Sequence, residues 1–98
     1  MSRYTLSAGA RQDLTEILRF IAEDSPAAAA KVSKELRRAI ERLADFPSLG
    51  HRRPDLTQLP LRFWQVYSYY VIYEQDRVPI EIVRILHAAR DVPELLGS

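Results

Sequence analysis

Two apolar stripes at helical spacing, separated by little more than the dipeptide Ser25-Pro26, constrain this chain more than any other feature. The first follows Ser7, a natural helix N-cap, and runs through Ala10, Leu14, Ile17, Leu18 and Ile21. That spacing makes one face of an α-helix of about four turns, with Arg11, Asp13, Glu16, Arg19 and Glu23 expected largely on its other faces. Ser25 can cap a second helix, and Pro26 suits its first position, where a missing N–H costs nothing. The second stripe, Ala29, Val32, Leu36, Ile40 and Leu43, predicts a helix over 27–44. So short a connection leaves the two helices one arrangement, an antiparallel hairpin.

Such a hairpin has an apolar face to bury, and the rest of the chain supplies a sheet to bury it against. Arg3-Tyr4-Thr5-Leu6 reads as a short first strand. Phe46-Pro47-Ser48-Leu49-Gly50 stops the second helix, and a loop punctuated by Gly50, Pro54 and Pro60 follows. Loops of that length inside a small domain are usually functional or disordered. Segments 61–67, 69–74 and 78–86 are dense in aromatic and β-branched residues, with a turn at Gln75-Asp76-Arg77. Pro79 near its start suggests an edge-like entry for the last of them. The tail, 91–96, has room for one helical turn. The order β-α-α-β-β-β predicts a single α+β domain over residues 1–98, a two-layer sandwich of a helical hairpin on a small, mainly antiparallel sheet. The far face of that sheet is expected to be partly open and lined by some of Phe63, Trp64, Tyr67, Tyr69, Tyr70 and Tyr73.

Composition removes whole classes of function. The chain has no cysteine, which excludes disulfides, thiolate catalysis and Cys-based metal centres. No His/Asp/Glu group has ligand spacing, so neither a metal nor another cofactor is expected. No apolar run approaches the ~20 residues of a membrane span, and the first residues carry no signal-peptide core, so the cytoplasm is the expected compartment. A net charge of +1 is too small to hold nucleic acid by bulk attraction. Within that balance, however, twelve arginines stand against two lysines. Arginine is the residue of bidentate contacts to carboxylate and phosphate, so the bias points to recognition. Arg52, Arg53 and Arg62 are set against Asp55 alone in the middle of the chain.

Four segments, in order, carry a family resemblance: Tyr4-Thr5-Leu6-Ser7 leading to Ala10 and Asp13-Leu14; Phe46-Pro47-Ser48-Leu49-Gly50-His51-Arg52-Arg53-Pro54-Asp55-Leu56; Leu61-Arg62 with Tyr70-Val71-Ile72-Tyr73; and Arg84-Ile85-Leu86-His87-Ala88-Ala89-Arg90-Asp91. Together they resemble the RelE/ParE superfamily of bacterial type II toxins, with the ParE branch the closer match. The resemblance implies a helical hairpin on an antiparallel sheet and one of two activities. ParE-like members poison DNA gyrase; RelE-like members cleave mRNA, usually in the ribosome. Both are silenced by an antitoxin, ParD-like for the ParE branch, in a hetero-oligomeric complex. Some domains of the family lose toxicity and persist as antitoxin-binding modules.

Metal-free RNA cleavage needs a base for the 2′-hydroxyl, an acid for the leaving oxygen and cations for the phosphorane charge. Arg62, Arg84 and Arg90 can supply the cations, and the resemblance aligns Arg62 and Arg90 with arginines of the ribonuclease branch. The Tyr or His that commonly follows the second arginine in that branch is missing here, where Asp91-Val92-Pro93-Glu94-Leu95-Leu96 follows. His87 and His51 are the substitutes, read first as a backbone-bonded strand-end residue and a turn residue. A ribonuclease would use Arg62, His87 and Arg90. An inhibitor asks only for a binding surface, with Arg52, Arg53, Arg62, Trp64, Arg84 and Arg90 as candidates for contact with target or antitoxin. Arg62 is expected on the open sheet face, whereas a lone Trp64 on a strand between Phe63 and Gln65 is more often core. Ala27-Ala28-Ala29-Ala30 leaves room for a partner to approach the second helix.

Overall fold

The computed structural model describes residues 3–97. Strand β1 (Tyr4–Leu6) leads into α1 (Ala8–Asp24) and α2 (Pro26–Asp45). Four strands follow, β2 (His51–Arg52), β3 (Arg62–Val66), β4 (Tyr69–Glu74) and β5 (Ile80–His87), and then a short α3 (Val92–Leu96). Both helix starts are capped as their sequences dictate. The Ser7 hydroxyl accepts from Ala10 N–H, and the Ser25 hydroxyl accepts from Ala28 N–H with Pro26 at the first position. No helix is long and apolar enough to cross a membrane among the described residues.

The five strands form one sheet in the order β1-β5-β4-β3-β2. Only the β1–β5 pairing is parallel; the helical hairpin takes the chain from β1 to β2 at the opposite edge, and β3, β4 and β5 return antiparallel to one another until β5 lies beside β1. The hairpin packs Ala10, Leu36, Ile40 and Leu43 against Val71, Tyr73, Ile80, Ile82 and Ile85. Register breaks once. Ile72 faces Arg84 while Tyr73 faces Ile82, so Val83 is an extra residue in β5. That bulge is why Ile82 and Ile85, three apart rather than two, both reach the helix-facing core.

Three local expectations needed correction. The far face of the sheet is not open. Phe63, Ile72 and Leu86 alternate away from the helices, and Leu61 and Val92 join them in a second core flanked by Leu56, Leu95 and Leu96. The long loop is ordered by that packing, carries β2, and buries Thr57, whose hydroxyl accepts from Leu59 N–H. Strand boundaries also moved. β3 ends at Val66, and the chain turns through Tyr67 and Ser68, with Tyr67 at φ 54° in the left-handed region. β5 begins at Ile80, leaving Val78 97% exposed and Pro79 outside the strand.

Candidate functional site

The arginines proposed from sequence occupy very different environments. Arg84 is not a free surface cation. Its guanidinium donates to both carboxylate oxygens of Asp13 on α1, from Nε at 2.7 Å and from the second terminal nitrogen at 2.9 Å. Asp13 also accepts from the Ile85 backbone N–H at 3.0 Å. Hydrogen bonding to Asp13 raises the Arg84 pKa, against the opposing effect of burial. Asp13 is only 8% exposed, so the expectation that it sits among the solvated residues of α1 fails. The signal was present. Asp13 lies three residues after Ala10 and four before Ile17, on the apolar stripe itself, and an acid there requires a buried partner.

Arg62 is also not displayed on an open face. It is half-buried and faces Arg52 across the β2–β3 ladder. One terminal nitrogen donates to the Gly50 carbonyl at 2.7 Å, and Nε donates to the Gln75 side-chain oxygen, whose amide in turn donates to the Ser48 hydroxyl. Beside it the Tyr73 hydroxyl donates to the Pro47 carbonyl at 2.6 Å and accepts from Gly50 N–H at 2.9 Å. Burial pushes the Tyr73 pKa up, partly offset by the Gly50 N–H and the charge of Arg62. Gly50 permits this approach, since a Cβ there would lie 2.6 Å from the Tyr73 hydroxyl. Arg62 and Tyr73 thus bracket the turn that delivers β2 to the sheet.

Arg53 is paired with Asp55 at 2.8 Å and lies over the Tyr70 ring, donating to its hydroxyl at 3.2 Å. The Asp55 hydrogen bond raises the Arg53 pKa, and the same contact lowers that of Asp55. Arg52 and Arg90 are exposed and make no ion pair among the described residues. Trp64 is half-buried against the helix-facing core and lines a channel with α2. His51, expected in a turn, is a strand residue of β2 stacked on Trp64.

His87 and Arg90 share a groove of about 360 Å³ between α1 and β5, whose walls include Glu16, Ile17, Phe20 and Tyr69. Phe20 there is 70% exposed. His87 Nδ1 accepts from Ala89 N–H at 3.0 Å, and its ring meets Tyr69 edge-on, so the strand-end backbone bond is present. Asp91 caps α3 by accepting from Glu94 N–H. The catalytic set imagined from sequence does not assemble. His51 sits on β2, three strand spacings or about 14 Å across the sheet from the strand of His87. Arg62 lies at the far end of β3, about 13 Å along the strand from Val66, the residue level with Tyr69 and His87. Among the described residues no three His, Cys, Asp or Glu side chains gather as a metal site.

Residues 4–92 match the sequence profile described as the ParE toxin of the type II toxin–antitoxin system parDE. The chain belongs to the ParE toxin family. Two relatives extend the comparison. This ParE-family chain is 40% identical over 80 residues to toxin RelE2 of Caulobacter vibrioides, covering 80% of this chain and 85% of that one. It is 32% identical over 94 residues to Y4kP of Sinorhizobium fredii, a protein named for a proposed toxin role, covering 96% and 94%. Its fold matches a chain from the chromosomal ParDE toxin–antitoxin system of P. aeruginosa with a TM-score of 0.69 at 19% identity, over 88% of this chain and 98% of that one. The resemblance carried by the four sequence segments therefore holds across nearly the whole domain.

Proposed function

We propose that this type II toxin acts by binding DNA gyrase and stalling it on cleaved DNA, and that a ParD-like antitoxin silences it in a hetero-oligomeric complex. The observation that carries the reading is the dispersal of the candidate catalytic groups. Phosphoryl transfer demands acid, base and cation around one phosphate, within hydrogen-bond reach of the reacting oxygens. Here His87 and Arg90 share one groove while Arg62 and His51 stand elsewhere on the sheet. Arg84, the remaining cation, is spent on Asp13. What the surface offers instead is grooves with exposed aromatic and arginine side chains, the usual anchors of a protein interface.

Induced expression in a bacterial host separates the two activities. A gyrase poison raises a DNA-damage reporter while transcripts keep their native 5′ ends. A ribonuclease gives new transcript ends within coding regions and leaves the reporter silent, an outcome that would refute the proposal. The His87→Ala variant is expected to remain toxic.

A further inference from the structure

We propose that the ring of Tyr67, held at the tip of the β3–β4 turn, is the anchor that this toxin inserts into a cleft of its target protein. The inference rests on the reading of this chain as an inhibitor of gyrase, and it names the residue that makes the contact.

A two-residue connection between antiparallel strands has two favoured turn types, and both need a positive φ at the first central residue. Glycine takes that conformation readily, and asparagine and aspartate tolerate it. For a bulky side chain it is an outlier. Val66 pairs with Tyr69, so the connection here is Tyr67-Ser68, and Tyr67 at φ 54° holds the first central position. It is the one non-glycine residue with a positive φ among the described residues. Strain of this kind persists only where the surroundings over-determine it, and it gathers at functional sites.

The surroundings do over-determine it. The Gln65 side-chain amide donates to the Tyr67 carbonyl at 2.9 Å, and the Ser68 carbonyl accepts from Ala88 N–H at 2.7 Å. Val66 and Tyr69, on either side of the turn, both pack against the helix-facing core, and the Tyr69 ring meets His87 edge-on. The tip is thus tied to its own strand, to the end of β5 and to the core, so Tyr67 is presented in one backbone conformation. An anchor fixed in advance loses little freedom on binding.

Nothing inside the domain accounts for the ring. Tyr69 packs on the helix-facing core, Tyr70 lies under Arg53, and Tyr73 is fully buried. Tyr67 is 52% exposed, joins neither core and stacks on no other aromatic among the described residues. A tyrosine held in strain with no partner inside the domain has its partner outside it. Tyrosine is a frequent interface anchor, because it brings a large rigid ring with few torsions to freeze.

Charge and shape specify that partner. No charged residue lies between Arg62 and Glu74, so the tip can be desolvated whole without stranding an ion. A DNA backbone asks for cations, and this turn offers none. Tyr67 and Ser68 are both exposed at the end of their strands, a convex tip rather than a groove. Such a tip enters a cleft already formed in a folded protein.

Inhibition of gyrase supercoiling by the purified full chain, read beside urea unfolding of each variant, tests the anchor. Tyr67→Gly and Tyr67→Asn take a positive φ more readily, so each should unfold at a midpoint no lower than wild type. Each should nevertheless need at least about tenfold more protein for half-inhibition. Tyr67→Phe keeps the ring and should stay within about threefold of wild type. A folded Tyr67→Gly variant as potent as wild type would overturn the proposal. So would a midpoint clearly below wild type in both the Gly and Asn variants, which would make the ring a structural one. A loss in Tyr67→Phe as large as that in Tyr67→Gly, or Tyr67-dependent binding to a DNA duplex alone or to a second copy of this chain, would overturn it as well. The gyrase reading fails separately, if growth-arresting wild-type protein leaves supercoiling untouched. Growth arrest then scores the anchor: arrest kept by Tyr67→Gly overturns it, and arrest lost from the folded variant upholds it.

Discussion

Replacing Asp13 by alanine should destabilise this domain by about 2–4 kcal/mol, because the carboxylate sits on the buried stripe of α1 and not on its solvated faces. Three hydrogen bonds end on its carboxylate, two from Arg84 and one from Ile85 N–H. Breaking a buried ion pair from one side costs about 3–5 kcal/mol, because the remaining charge stays desolvated. The Arg84 side chain is 27% exposed against 9% for Asp13, so water recovers part of that loss and the lower figure applies. The orphaned Ile85 N–H adds to the cost, since it sits at the β5 edge beyond the reach of β1. Domains of this size have about 5–15 kcal/mol in total, so the variant should fold but melt early. Urea unfolding followed by Trp64 fluorescence should show a midpoint lowered by about 1–2 M at an unchanged slope. The double variant Asp13→Ala with Arg84→Met should cost clearly less than the sum of the singles, because neither charge is then left alone. A loss below about 0.5 kcal/mol for Asp13→Ala would show that the pair is solvated and the argument wrong.

The other predictions concern the turn that delivers β2. Tyr73→Phe should lose about 1–3 kcal/mol by stranding the Gly50 N–H and the Pro47 carbonyl. Since burial raises the folded-state pKa of Tyr73, its contribution is complete below the ordinary value of 10.0 and is lost as pH rises through the higher folded value. Wild-type stability should therefore fall, in part through this residue, as pH rises from 10.0 through the folded value, and Tyr73→Phe should flatten that slope in denaturation curves. Gly50→Ala should be at least as damaging as Tyr73→Phe in the same assay, since the new methyl meets both the Tyr73 ring and the Phe63 carbonyl. Arg62→Ala should keep the fold, with unchanged far-UV circular dichroism, yet loosen residues 47–52 to amide exchange, because it removes the brace to Gly50 and Gln75. Chelation by EDTA should leave the melting temperature unchanged; a fall would reveal a structural metal.

The helical hairpin was legible because its signals are local. Ser7, Ser25 and Pro26 cap where helix chemistry requires, and each apolar stripe repeats within a few turns. The strands were legible for the same reason, as dense aromatic and β-branched runs. What escaped depends on partners distant in sequence. Asp13 reads as solvated in sequence because its partner lies 71 residues away. The two-residue strand β2 exists only because β3 is there to pair with it. Nor does Tyr67-Ser68 announce a turn, since a left-handed tyrosine is held by the strands on either side rather than by its own preference. The second core was hidden in Leu56, Leu61, Val92 and Leu95, residues that show no periodicity and converge only in three dimensions. Among the interface candidates, the sequence does not separate Arg53 and Arg84, tied to carboxylates, from Arg52 and Arg90, which make no ion pair among the described residues.

Gyrase supercoiling tests the functional claim most directly. Purified antitoxin-free protein is titrated into gyrase, relaxed plasmid and ATP, and linear, relaxed and supercoiled DNA are resolved on a gel. The account predicts loss of supercoiling with accumulation of linear plasmid, and the same result for His87→Ala. Undiminished supercoiling at a large excess of folded, growth-arresting protein would contradict it and move the search to ribosome-bound mRNA, with His87, Arg90 and Arg62 as the residues to test.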